Sequence, residues 1–164
     1  GRFRASPAAR PMTLTDKTAL VTGGSRGIGR ATVEALAAAG ARVAFTYRAQ
    51  AEAAEALVAE LQSRGTEAFA LQADAASAAD AEASVNAVVE RWGRIDALVV
   101  NAGVTRDGLM IRMSEDDWRA VIETNLTGAF HACKAAYRPM MKQRGGSIVT
   151  VSSVVGVMGN AGQA

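Results

Sequence analysis

With 164 residues the chain has room for one α/β domain with a real core and little more. Hydrophobic residues make up 49 % and aromatic residues only 5 %, so the core must come from Ala, Val, Leu and Ile, while 21 % charged residues exclude a disordered chain. The net charge of +2 arises in the first eleven residues: without Arg2, Arg4 and Arg10, fifteen basic residues face sixteen acidic ones, which gives no reason to expect a nucleic-acid partner.

Gly1–Pro11 (GRFRASPAARP) is Arg-rich, acid-free and precedes Met12. It reads as a leader or tag remnant outside the fold, or as the end of an organelle transit peptide, with residues 12–164 forming the domain. From Lys17 the sequence falls into strand–helix units. Thr18–Thr22 is a short apolar run, followed by a helical stripe of Ile28, Ala31, Ala35, Leu36 and Ala39 that Gly40 closes with a left-handed cap. Arg42–Tyr47 is a second strand, Ala54, Leu57, Val58 and Leu61 a second stripe, and Gly65 its end. Glu67–Gln72, a helix through Ala81, Val85, Val88, Val89 and Trp92, Gly93, and the strand Asp96–Val100 follow. A long helix opens at Ser114, with Asp117 three residues on as in a capping box. Its stripe is Trp118, Val121, Ile122, Asn125, Leu126, Ala129, Phe130 and Cys133, and Pro139 is expected to kink or end it. Ser147–Val151 is a fifth strand.

Strands alternating with helices imply parallel strands and right-handed crossovers, hence an α/β, Rossmann-type doubly wound parallel sheet of order 3-2-1-4-5. Such a sheet binds its ligand beyond the carboxyl ends of the strands, where the order reverses. The chemically suggestive groups gather on that edge. Gly23-Gly24-Ser25-Arg26-Gly27-Ile28-Gly29 follows the first strand and opens its helix, a setting in which glycines let a pyrophosphate approach the backbone and the helix N-terminus. An acid ending the second strand would bond both ribose hydroxyls; Tyr47-Arg48 stands there instead, and with Arg26 it favours NADP(H). Arg48 could also be a solvated surface charge.

Asp74, with Ala75 beside it, follows the third strand and either accepts from an adenine amino group or simply starts a helix; the two are compatible. Asn101-Ala102-Gly103 ends the fourth strand, where small residues let a ribose lie against the backbone, or where the chain merely turns. Asn125 interrupts an apolar stripe, so its amide must be paired, for function or as a bridge from helix to strand. Ser152 and Ser153 end the fifth strand without a hydrolase's glycine elbow or a suitably spaced His, which leaves a hydroxyl that orients a substrate carbonyl. His131 reads as a surface residue and Cys133 as core. No metal-ligand spacing occurs. A single cysteine allows no internal disulfide and gives no sign of an oxidising compartment, and no apolar run spans a bilayer, so a cytoplasmic protein without a membrane partner is expected.

TGGSRGIG, the Asp74 step, the Asn101–Gly103 motif, the lone Asn125 and the Ser153 segment together resemble the short-chain dehydrogenase/reductase family. Within it, Val104–Met113, Glu123–Phe130 and Ser152–Ala164 are most similar to 3-oxoacyl-[acyl-carrier-protein] reductases. The resemblance implies that Asn125 and Ser153 belong to a catalytic Asn, Ser, Tyr and Lys set, whose Tyr-x-x-x-Lys step would fall past Ala164. The full-length protein would then be a homo-tetramer that reduces acyl-carrier-protein-linked 3-oxoacyl thioesters with NADPH in fatty-acid biosynthesis. Acetoacetyl-CoA or another small ketone is the alternative substrate, and a chain without the Tyr and Lys would be an inactive nucleotide-binding piece. Arg138, Lys142 and Arg144 suit the negative end of the long helix. The resemblance makes Arg144 the candidate docking residue for an acidic carrier protein, on the expectation that it lies near the site entrance.

Overall fold

The computed structural model describes residues 13–163. Its strands are β1 (Thr18–Val21), β2 (Arg42–Tyr47), β3 (Ala68–Gln72), β4 (Ala97–Val100) and β5 (Ser147–Thr150), all parallel in the order 3-2-1-4-5. Each strand lies within a residue of the range expected from the sequence. Helices α1 (Gly27–Ala38), α2 (Ala51–Ser63) and α3 (Ala78–Trp92) are the first three crossovers. They end where Gly40, Gly65 and Gly93 adopt φ of +94°, +84° and +77°; the sequence places all three at helix ends and the left-handed cap at Gly40.

Side-chain alternation divides the sheet into two cores. Leu20, Ala44, Leu98 and Val100 point toward α3 and the later helix α5 (Gly128–Lys142), and meet Val85, Val88, Trp92, Ala132, Ala136 and Met140. Val21, Val43, Phe45 and Val99 point the other way, onto Val33, Ala37, Ala54, Leu57 and Leu61. Both faces of β1 are thus covered, and its four residues are all buried.

The amino-terminal edge of the sheet is closed by its own side chains. The Asp96 carboxylate accepts from the Thr18 amide at 3.0 Å and from Arg94 at 2.8 and 2.5 Å. Gln143, just past α5, pairs with both backbone groups of Ile95, accepting at 3.2 Å and donating at 2.6 Å. Burial pushes the Asp96 carboxyl up, but the bonds from Arg94 and Thr18 and the charges of Arg94 and Lys17 outweigh it and hold its pKa below the ordinary carboxylate value.

The long helix departs from expectation. Ser114 caps it as anticipated, accepting from the Asp117 amide at 3.1 Å. The helix is not continuous, however: α4 (Glu115–Val121) passes through a π-helical turn, Ile122–Thr127, into α5, and the Gly128 amide reaches back five residues to the Glu123 carbonyl. A π turn carries one residue more than an α turn, so everything after it is rotated by about 100° relative to the preceding face. The stripe extrapolated from Trp118 is therefore only partly at the core, through Ala129 and Cys133. Leu126 and Phe130 are exposed, as is Trp118 itself, and the buried row is Gly128, Ala132, Ala136 and Met140. These mostly small residues, four apart, let α5 lie close against α3. Pro139 does not end the helix, which runs on to Lys142. Without an N–H, Pro139 forgoes its own bond to the carbonyl four residues earlier. His131, expected at the surface, is half-buried, and its Nδ1 atom is enclosed without a partner among the described residues. Cys133 is partly buried against the core.

Candidate functional site

The ends of β1, β2, β3 and β4 open into one cleft of about 680 Å³. It is lined by Gly23, Ser25, Arg26, Gly27, Ile28, Gly29, Arg48, Asp74, Ala75, Asn101, Ala102 and Gly103. Of the residues the sequence singled out for a nucleotide, only Gly24 is not at the surface of the cleft. It is buried against Phe45, and a methyl built on it would overlap that side chain.

The glycine loop is held by partners that the sequence reading passed over. Thr46 Oγ1 accepts from the Gly23 amide at 3.1 Å and its carbonyl accepts from Gly24 at 2.8 Å. Thr22 Oγ1 accepts from both the Asn101 and the Ala102 amides at 3.0 Å, tying the β4 loop to the β1 loop. Asn101 Nδ2 donates to the Thr22 and Gly23 carbonyls, each at 3.1 Å. Its amide thus holds the loop in shape, and only part of it faces the cleft. The one hint available in the sequence was a hydroxyl at or next to the last residue of each of two strands. Gly29 has no room for a side chain: a methyl there would overlap the Gly23 carbonyl oxygen and stand 2.5 Å from Asn101 Nδ2. This close approach packs the first turn of α1 under the loop.

That first turn is bare. Arg26 at its N-cap makes no side-chain capping bond and no acid lies in the turn, so the positive end of a twelve-residue helix faces the cleft uncompensated. The donor set suits a phosphate-bearing ligand. At the β2–β3 end, Arg48 Nη2 stands 3.3 Å from Asp74 Oδ2, with side chains 68 % and 40 % exposed. Asp74 Oδ1 accepts from the Ala76 amide at 3.0 Å, and its carbonyl accepts from Ser77, the N-cap of α3. Asp74 is thus anchored, and Arg48 leans on it. Tyr47, Ala49 and Gln50 line the same end, and Val104 and Thr124 the other.

Asn125 does not face the core. It is exposed, and its amide bridges to the loop after β4, accepting from the Val104 amide at 2.8 Å and donating to the Val104 carbonyl at 2.9 Å. It lies directly behind the cleft wall, where a methyl on Gly103 would come 3.3 Å from its Oδ1. Ser153 is three residues past the end of β5, as Gly103 is past the end of the neighbouring β4, so the two loops share an edge. Its Oγ accepts from the Val155 amide at 3.2 Å, at the start of the short helix α6 (Val155–Met158). Ser152 and Ser153 are both exposed.

Arg144 is elsewhere. It follows α5 at φ +58°, before β5 begins and beside the Gln143–Ile95 pair, at the amino-terminal edge. Within one chain the length of β5, about 13 Å at 3.3 Å per residue, separates that edge from the one bearing Ser153. The expectation that it flanks the entrance of its own site is therefore corrected: a strand's two ends lie on opposite edges of the sheet. Among the described residues no group of His, Cys, Asp and Glu could hold a metal ion, and no helix is long and apolar enough to cross a membrane.

Known proteins share this fold. The chain is 50 % identical over 92 % of its length to a 3-oxoacyl-[acyl-carrier-protein] reductase of Synechocystis sp., and 49 % identical over 90 % to the 3-oxoacyl-[acyl-carrier-protein] reductase FabG of Staphylococcus aureus. It spans 61 % and 60 % of those relatives, about three fifths of their length. A crystal structure of a protein called gox2181 superposes with a TM-score of 0.88 at 33 % identity, over 94 % of this chain and 60 % of that one. The family model described as short chain dehydrogenase matches residues 17–164, and the chain belongs to that family.

Proposed function

We propose that the protein is the nucleotide-binding part of an NADP(H)-dependent reductase of 3-oxoacyl thioesters carried on acyl carrier protein. The observation that carries the cofactor is the cleft: a bare helix N-terminus under a glycine loop, with Arg26 and Arg48 beside it and no acid at the end of β2. Arg26 and Arg48 would hold the 2′-phosphate, the first turn of α1 the pyrophosphate, Asp74 the adenine amino group, and the backbone at Ala102–Gly103 a ribose. Bound there, the nicotinamide would supply the hydride.

Ser153 suits the orientation of a carbonyl oxygen. Its Oγ accepts the Val155 amide and keeps its own proton to donate. Asn125 would act first as a clamp on the Val104 loop, with its second amide proton left for a water in a proton relay. The thioester substrate and its carrier are supported by the names of the Synechocystis and Staphylococcus relatives. Calorimetric titration with NADPH and NADH tests the cofactor: tighter binding of NADPH by about tenfold or more is expected from two guanidinium contacts. Equal affinity would overturn it. In the full-length enzyme, reduction of a 3-oxoacyl group on carrier protein at no higher kcat/KM than that of a simple ketone would overturn the substrate.

A further inference from the structure

Gly128 is the first residue of α5, directly after the π turn, and its Cα lies against the loop that follows β3. A methyl built on it would overlap the Ala75 carbonyl oxygen and stand 3.0 Å from the carbonyl carbon. Both obstructing atoms are backbone, so no side-chain rotation relieves the clash, and the loop itself would have to move. That loop carries Asp74 and, through the 3.3 Å contact, sets the position of Arg48. Gly128 itself is buried and does not line the nucleotide cleft, whereas Ala75 does.

The π turn explains how Gly128 reaches this place. Three residues earlier Asn125 is fixed on Val104 by two hydrogen bonds, on the far wall of the same cleft. The extra residue of the π turn lets Asn125 keep that register while the helix presents a side-chain-free position to Ala75. One turn of helix thereby braces both walls of the cleft.

We infer that Gly128 is a positioning residue for the adenosine end of the nucleotide, acting through the Ala75 carbonyl on Asp74 and Arg48. The inference rests on the nucleotide reading above and adds to it a residue outside the cleft that sets its depth. Its signature is selective. Gly128→Ala should weaken binding of adenosine 2′,5′-bisphosphate by about tenfold, as expected for a backbone displaced by overpacking, and leave binding of reduced nicotinamide mononucleotide unchanged. Equal losses for the two, or no loss for either, would overturn the role. Amide exchange in the wild-type protein supplies a measurement that does not depend on whether the variant folds. Saturation with adenosine 2′,5′-bisphosphate should slow exchange at residues 122–129, although the ligand does not touch most of them, and unchanged exchange there would equally overturn it. Wild-type protein that binds neither the bisphosphate nor NADPH would remove the nucleotide reading itself, and is told apart by failing before any variant is made.

Discussion

Arg48→Ala isolates the charge that faces the 2′-phosphate. Two unit charges about 4 Å apart attract by roughly 1 kcal/mol in water and about 4 kcal/mol at a protein surface of effective dielectric 20. With its side chain 68 % exposed, Arg48 belongs near the lower figure, at about 1–2 kcal/mol for a phosphate. Part of that gain is offset, because Arg48 already leans on Asp74 at 3.3 Å, a pair worth about 0–1 kcal/mol when exposed. The net loss in the variant is then about 1 kcal/mol, or about fivefold in the Kd for NADPH, with NADH unchanged. Arg26 remains, so some preference for NADPH should survive. Titrations at low and moderate salt provide the assay: the NADPH effect should shrink as salt rises, since both partners are solvated. A parallel loss for NADH, or a loss indifferent to salt, would mean that Arg48 shapes the loop and does not meet a phosphate.

The remaining predictions concern the frame around the cleft. Asn101→Ala removes both bonds to the Thr22 and Gly23 carbonyls and should cost about 1–3 kcal/mol in chemical denaturation; unchanged stability would show that the loop holds itself. Ser77→Ala removes the cap that accepts from the Asp80 amide at 3.1 Å and should lower stability by about 1 kcal/mol, read from the urea midpoint. Asp96 has a depressed carboxyl pKa, so its contribution is complete above the unfolded value of about 3.9 and is lost as pH falls through the lower folded value. Asp96→Asn should therefore cost about 1–2 kcal/mol at neutral pH and flatten the acid limb of the stability profile. A limb as steep as in the wild type would assign acid sensitivity to another group.

Much of this molecule is legible in the sequence because its rules are local. Short apolar runs that alternate with amphipathic helical stripes read as parallel strands, and that alternation led to the doubly wound sheet. Gly23–Gly29, Arg48, Asp74 and Asn101–Gly103 could be assigned to one edge because each follows a strand end, and the fold brings them to one cleft. What failed depended on phase and on distance. The helical period of Trp118–Cys133 is unbroken in the sequence, and nothing in it marks the inserted residue at the π turn that changes which side of α5 is buried. Arg144 is near Ser153 in sequence but not in space, because a strand's two ends lie on opposite edges of the sheet. The hydroxyls of Thr22 and Thr46 were missed because a threonine in a strand is ordinary until its partners are known.

The closed amino-terminal edge gives the domain a division of labour between its two ends. Around Asp96, Thr18, Arg94 and Gln143 the polar groups are engaged with one another and with the backbone. At the other edge, backbone amides and guanidinium groups stay available because the closure that steadies the strands is made a full strand length away. Substitutions should sort accordingly: those at the closed end lower the melting temperature and leave nucleotide affinity per folded molecule intact, and those of the exposed Arg26 and Arg48 at the open end do the reverse. Such a domain can change what it binds by altering its carboxyl-edge loops while the residues that keep it folded stay as they are.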